Sequence, residues 1–432
     1  MNLIRYLLAA FIYASQIGYA AEATIATDHN LDSRIAEAQA LFSAKKFTEL
    51  KPLLASLRAE KPPHLEVLFI SGMLASQQGD YTNAASEFRA MLVRDPSLIR
   101  PRLELALALQ KSGNRRDAKY QYDQVLAASL PEQVRENIYN QLSDIQSRSP
   151  SLNLSLEVVS DSNPNQAPNS STIYIGGLPF TLNNSSAKSA YGVALSGDLR
   201  WPLASDPTWF AHAYAEVNEY GKRDFNSIYA QATVGKHLDW GWNNLTTEVG
   251  EHVSNYQGHP QYDGWLVRST GFIRASDQWG LSVDAAYKKY NYDALSFLDG
   301  NMKSLTLTSI YIPKPTQRWE LGAGINQYSA KESAYSYTQP QVSIHFTKEW
   351  SGGWVTGAQL QALVADYDTS DPFFGVVRRD KEARVEFDLL NRKIQLGSFY
   401  PKILIGYVNR SSTLDLFNYN RVYAHIIFSA GF

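Results

Sequence analysis

The sequence predicts an α+β multidomain chain, with N-terminal helical repeats followed by a fourteen-stranded antiparallel transmembrane β-barrel. Three observations carry that reading. Residues 151–432 fall into runs of alternating apolar and polar residues, without a long apolar stretch. Residues 31–150 show a 34-residue period. All nine Trp and 19 of the 26 Tyr lie in the later region, where a lipid-facing barrel places its interfacial girdles.

At 432 residues the chain has room for two or three domains. A formal net charge of −2 gives no bulk electrostatic case for a nucleic-acid partner. The absence of Cys removes disulfide frameworks and thiolate metal sites.

The chain opens with a basic start, Met1-Asn-Leu-Ile-Arg5, then an apolar run from Tyr6 to Ala14, then Gly18-Tyr19-Ala20. That order reads as a secretory signal peptide over residues 1–20, cleaved after Ala20. Its apolar run is too short to cross a ~30 Å hydrocarbon core as a helix. No Cys follows it, so the chain is not itself a lipoprotein of the type anchored at an N-terminal Cys. No other stretch approaches the ~18 apolar residues of a spanning helix.

Over residues 31–150, Gly79 aligns with Gly113, Ala84 with Ala118 and Phe88 with Tyr122. One period upstream stand Leu50 and Leu54, with Phe47 matching Tyr81 and Pro62 matching Pro96. Gly72, Ala84-x3-Phe88 and Pro96 fit a tetratricopeptide-like pattern of helix pairs, best in the middle unit and weakest in the first. The small Ala lets two helices approach, the aromatic fills the gap, and Pro ends the second helix. Projecting the repeat puts Ile35, Gln39, Phe42, Phe69, Met73, Leu103 and Leu107 on the concave face of first helices, an apolar groove suited to an extended or helical client peptide. Residues 21–30 or the underside of the barrel are the alternative occupants. A last helix follows Pro131.

The boundary is Ser147-Arg-Ser-Pro-Ser151, where helical periodicity gives way to alternation. Fourteen strands fit, from those near 151–160 and 187–200 to those near 400–410 and 420–432. An even count leaves both ends of the barrel on one side. Connections on that side are mostly tight, such as Ser276-Asp-Gln278, and those opposite are longer, such as Asp161–Lys188. The last strand carries Val422, Ala424, Ile426, Phe428, Ala430 and Phe432 on one face, and Tyr423, His425, Ile427, Ser429 and Gly431 on the other, which is mostly polar or small. A strand ending on Phe, with Phe428 and Phe432 on its apolar face, is similar to the sorting signal of bacterial outer-membrane barrels. That likeness implies outer-membrane lipid and a barrel-assembly machinery as partners.

Chemistry is absent from the motifs. No His-x-x-x-His pair or Gly-x-Ser-x-Gly elbow occurs, so no metal, cofactor or catalytic residue is expected and the chain does not read as an enzyme. Asp161-Ser-Asn163-Pro-Asn165 starts like a calcium loop but has Gln166 where Gly is required and Thr172 where Glu is required.

A signal peptide (1–20), a tetratricopeptide-like domain (31–150) and a fourteen-stranded barrel (151–432) together resemble the Slam family, the surface lipoprotein assembly modulators of Gram-negative bacteria. The local likeness lies in Asp161-Ser-Asn163-Pro-Asn165, similar to the family's Asp-Ser-Asn-x-Asn stretch. The resemblance implies an outer-membrane protein with its helical domain in the periplasm. It further implies translocation of client proteins, surface lipoproteins or related secreted haem- or metal-acquisition proteins, received from periplasmic chaperones. Two other readings stay open at this point, a polysaccharide-export barrel with periplasmic repeats and a general porin.

Overall fold

A computed structural model of the chain describes residues 29–431, apart from 148–149, 176–177, 183–186, 204–205, 222, 242, 395 and 397–398. The signal segment 1–20 and the terminal Phe432 lie outside the described residues. The chain divides into two compact units, one ending at Ile70 and one beginning at Ser71.

Among the described residues the N-terminal part forms α1 (His29–Ser43), α2 (Phe47–Arg58), α3 (Leu65–Gln77), α4 (Tyr81–Arg94), α5 (Ile99–Lys111), α6 (Arg115–Leu126) and α7 (Glu132–Ser147). The 34-residue spacing has a local cause. Gly79 and Gly113 take φ of +78° and +93° at the turns before α4 and α6, a left-handed backbone that glycine adopts without strain. Each is followed by an N-cap, Asp80 accepting from the Asn83 N–H and Asn114 from the Asp117 N–H. The equivalent turn before α2 has Lys45 at φ 56° and Lys46 as a cap without a side-chain bond, which explains why the first unit fits the pattern least.

The aligned residues pack as the pattern requires. Ala84, Phe88, Ala118 and Tyr122 are fully buried, as is Leu50 in the first unit. A Cβ at Gly72 would stand 2.7 Å from the Phe88 ring, so α3 and α4 touch where only glycine fits. Phe88→Ala is expected to cost about 3–5 kcal/mol, and limited proteolysis of α3–α6 in the folded protein should show it as faster cleavage.

The barrel consists of β1 (Ser151–Asp161), β4 (Ala190–Leu203), β5 (Asp206–Tyr220), β6 (Ser227–Trp240), β7 (Asn243–Tyr256), β8 (His259–Arg274), β9 (Trp279–Tyr292), β10 (Gly300–Lys314), β11 (Gln317–Ala330), β12 (Tyr337–Glu349), β13 (Trp354–Ser370), β14 (Val377–Asn391), β15 (Tyr400–Ser412) and β16 (Tyr419–Gly431). All fourteen are antiparallel to their neighbours, and β1 closes on β16 with Leu156 opposite Phe428. Closure leaves no free sheet edge, which is what a sheet in hydrocarbon needs.

Three local departures from the expected layout occur. The connection after β1 contains a two-stranded hairpin, β2 (Thr172–Ile175) and β3 (Leu178–Thr181). On the side away from the termini, β7 and β8 are joined tightly through Gln257 and Gly258, at φ 56° and 82°. On the terminal side the β14–β15 connection is the long one.

Alternation decides which face meets lipid. Leu156, Leu195, Val342, Leu360 and Ile426 are all exposed on the outside of the wall. The residues between them, such as Glu157, Asp198, Glu382 and His425, form ion pairs inside it. A water-soluble sheet would bury that apolar face, so the band belongs in a bilayer. Trp201, Trp209, Trp240, Trp279 and Trp354 are exposed near the strand ends on the terminal side, where they form the girdle. Glycines on the inner face admit rings from the neighbouring strand: a Cβ at Gly235 would strike Phe210, and one at Gly280 would strike Phe272.

Candidate functional site: the mouth of the barrel

In the unit that begins at Ser71, helices α4–α7 sit against the strand ends on the terminal side. The central feature is a charge cluster. Arg102 of α5, fully buried, donates Nη2 to Glu349 Oε2 at 2.6 Å and Nη1 to Gln121 Oε1 at 2.7 Å. Arg392, in the turn after β14, donates Nη2 to Glu349 Oε1 at 2.7 Å, and the Tyr120 hydroxyl of α6 donates to the same oxygen at 2.9 Å. One carboxylate at the end of β12 thus ties together α5, α6 and a neighbouring turn. Burial, with Glu349 beside it, holds the Tyr120 phenol well above its ordinary range.

Helix α6 crosses the opening. At its start the Arg115 guanidinium donates to the Pro150 carbonyl, one residue before β1. Midway Tyr120 meets β12. Near its end Asp123 pairs with Arg274 of β8 at 2.7 Å and with Lys119 at 2.7 Å, and the Gln278 amide donates to the Ala127 carbonyl at 3.4 Å. Since β1, β8 and β12 stand well apart in the strand order, a helix touching all three spans the mouth. Helix α7 adds Arg135 to Asp277 at 3.1 Å and Ser143 to Asp239 at 3.2 Å.

Two kinds of contact meet in α6. Ala118, Tyr122, Val125 and Leu126 are fully buried, as are Leu105 and Ala106 of α5 to within 1 %, so α5 and α6 share an apolar core. The contacts named between α5–α7 and the barrel rim are ionic or hydrogen-bonded. Ions that part from one another regain hydration, which offsets much of the lost Coulomb energy, whereas a parted apolar core regains nothing. The packing of α5 on α6 is thus apolar, and the named seat of α5–α7 on the rim is polar.

Protonation sets limits on that seat. Burial pushes the Asp123 carboxyl up, but Lys119 and Arg274 outweigh it and hold the group at about 2 against an ordinary 3.8. A depressed carboxylate contributes stability that is complete above its unfolded value and disappears as pH falls through its folded one. That contribution, on the order of 2 kcal/mol, should leave docking of α6 unchanged between about pH 5 and 8 and weaken it below about pH 4. Protease accessibility of α4–α7 across that range checks this.

Residues singled out from the sequence separate into two sets. Asp161 and Asn163 are buried where β1 leaves the wall. Arg421 of β16 donates Nε to Asp161 Oδ2 at 2.8 Å, and Asn163 Nδ2 donates to the Asn420 carbonyl at 3.2 Å and the Ala167 carbonyl at 3.0 Å. Asn165 Oδ1 accepts from the Lys188 N–H at 3.3 Å. The Asp-Ser-Asn-Pro-Asn stretch thus fastens the closing β1–β16 seam at the end far from the mouth. Phe428 lies on the outward face with Val422 and Ile426.

The projected groove residues differ in access. Ile35 is 5 % exposed and belongs to the core of its unit. In that same unit Gln39 is exposed and donates to Glu66, and Phe42 packs on Phe47 at 6.1 Å. Phe69 is half-buried, and in the second unit Met73, Leu103 and Leu107 are half-buried too. The rim cluster escaped sequence reasoning because Arg102 and Glu349 are 247 residues apart.

Residues 151–432 match the family model described as surface lipoprotein assembly modifier. Similar proteins include surface lipoprotein assembly modifier 2 of Haemophilus influenzae, 25 % identical over 370 residues that cover 82 % of this chain and 75 % of that one. The surface lipoprotein assembly modifier of Pasteurella multocida is 24 % identical over 434 residues, covering 91 % and 82 %. Among solved structures, the P. putida toluene transporter TodX overlaps 67 % of this chain and 92 % of its own, at 11 % identity and a TM-score of 0.38. With most of its length matched by that family model and the closed, lipid-facing barrel in place, the chain is an outer-membrane protein belonging to the surface lipoprotein assembly modifier family.

Proposed function

We propose that the barrel is a conduit that carries surface lipoproteins, or related secreted proteins, across the outer membrane. Helices in residues 31–150, tetratricopeptide-like, receive the client on the periplasmic side, from chaperones where the client needs holding unfolded. The observation behind this reading is the bridged mouth: a polar lumen crossed at one end by helices held to the rim by ion pairs and hydrogen bonds. A porin for small solutes has no use for such a cover. Half-buried Phe69, Met73, Leu103 and Leu107, with exposed Gln39, are the residues proposed to touch the client. Barrel-assembly machinery reads the last strand during biogenesis.

Passage requires α6 to leave the mouth, and the outer membrane offers no nucleotide to drive it. Net movement then comes from client folding outside, which prevents return. Deleting the gene should strip surface lipoproteins from the cell face, seen as loss of cleavage when intact cells are shaved with protease. Undiminished cleavage of every surface lipoprotein in the deletion strain would rule the conduit out.

A further inference from the structure

A cavity of about 450 Å³ lies at the end of the barrel away from the helices, and the mouth makes no use of it. Arg378 of β14, Arg410 of β15, Tyr419 of β16 and Phe417, in the turn before β16, line it from the wall. Residues 165–168, in the connection after β1, complete the lining. Arg378 and Asp380 alternate with the exposed Val377, so they face the lumen and not lipid. Arg378 donates Nε and Nη2 to Asp380 at 3.0 Å and 2.7 Å. Arg410 donates Nε to Glu382 at 2.9 Å and holds Nη2 2.7 Å from the same carboxylate. Nη1 of each guanidinium lies outside these hydrogen bonds. In both pairs the carboxylate is the more deeply buried partner. The Asp380 and Glu382 side chains are 3 % and 4 % exposed, those of Arg378 and Arg410 15 % and 22 %. Among the described residues that line the cavity, none is acidic. It therefore meets two cations whose counter-charges stand behind them. The cations are also neighbours, since Arg378 Nη2 and Arg410 Nη1 lie 2.7 Å and 3.9 Å from one oxygen, Asp380 Oδ2. Rings fix the first of them: the Arg378 guanidinium is 3.3 Å from the centre of the Phe417 ring and 4.7 Å from that of Tyr367.

We infer that this cavity binds a soluble phosphate compound, a phosphate monoester or pyrophosphate. A guanidinium carries five N–H donors in a fixed fork that matches an oxyanion, and each of these forks spends only part of its donors on its carboxylate. Two adjacent cations favour a dianion over a single carboxylate, because each ligand charge then meets both of them. Phe417 and Leu416 offer an apolar side for the body of a monoester. The cavity lies inside the wall, so the phosphates of lipid headgroups, which surround the outer face, do not reach it. The stretch that completes the lining is held in shape locally. The Gln166 N–H donates to the Asn163 carbonyl at 3.1 Å and the Ala167 N–H to Asn163 Oδ1 at 2.9 Å. Between them Gln166 keeps φ at 48°, a left-handed backbone uncommon for a residue with a Cβ. The inference stands apart from the conduit reading, since it concerns binding and not passage.

Calorimetric titration of pyrophosphate into the full chain, in nanodiscs of zwitterionic lipid and phosphate-free buffer, tests this. Wild type should bind pyrophosphate saturably. R378Q/R410Q should bind it at least about tenfold more weakly, the loss expected when charge-assisted bonds go. R378Q/D380N removes a cation together with its counter-charge, so the wall is not left with a lone buried carboxylate. It should lose affinity in the same way, and it is the variant read if R378Q/R410Q does not form the heat-modifiable barrel. R268Q is the contrast. Arg268 of β8 also faces the lumen and pairs with Asp284 at 2.7 Å, so its loss removes the same charge away from the cavity. That variant should bind like wild type. Wild type that takes up no pyrophosphate, an Arg378 variant that binds as wild type does, or an R268Q that loses as much would overturn the site.

Discussion

Surface display is expected to stop when α7 is bonded covalently to the rim. The Ser143 hydroxyl of α7 donates to Asp239 Oδ2 at the end of β6 at 3.2 Å, so S143C/D239C places two thiols on facing positions of α7 and the rim. The natural chain has no Cys, so the introduced pair has no competing partner, and an oxidising periplasm will close it. In the proposed release α5, α6 and α7 move as one group, so tethering α7 holds α6 across the opening. The expected loss of display is near complete, since a bond of this kind turns a reversible contact into a permanent one. Adding a reductant to the cells should restore display, and either single Cys variant should behave as wild type. Protease shaving of intact cells is the readout.

The opposite change, E349A, should free the helices. Removing that carboxylate leaves Arg102 and Arg392 facing one another without a counter-charge, and strands the Tyr120 hydroxyl. Breaking a buried pair by deleting one partner costs about 3–5 kcal/mol, more than about a hundredfold in the ratio of docked to undocked protein. Undocked helices, with their cations returned to water, do not bear this cost. The expected readouts are cleavage of α4–α7 by added protease and larger current steps in planar bilayers. R379A is the contrast. Its partner Asp366 is 2.8 Å away but both side chains are about half exposed, so the pair contributes at most about 1 kcal/mol and neither readout should move.

The sequence makes visible whatever repeats locally. Alternation located each barrel strand to within a few residues, because a wall between lipid and water imposes period two on every strand. The helical pairs were legible through Gly79 and Gly113, whose backbone only glycine takes easily. The β2–β3 hairpin escaped because each of its strands is four residues long, at the lower limit for alternation to mark a strand. The cover over the mouth had none. Arg102, Tyr120 and Asp123 look like ordinary solvated positions on helices, and their partners Glu349 and Arg274 look like ordinary barrel charges. Only the folded chain brings them together. The same holds for Asp161 and Arg421, 260 residues apart and yet neighbours across the seam.

A passenger that travels inside the wall must touch lumenal side chains and never the outward ones. On β10, Thr306 faces inward beside Gly324, while Leu305 and Leu307 on either side face lipid, 43 % and 42 % exposed. Placing the photo-crosslinking residue benzoylphenylalanine at each position in turn, in cells making a surface lipoprotein, separates the two routes within one strand. Adducts to the lipoprotein from position 306 and none from 305 or 307 are the expected result. Adducts from 305 or 307, or from none of the three, would contradict passage through the barrel.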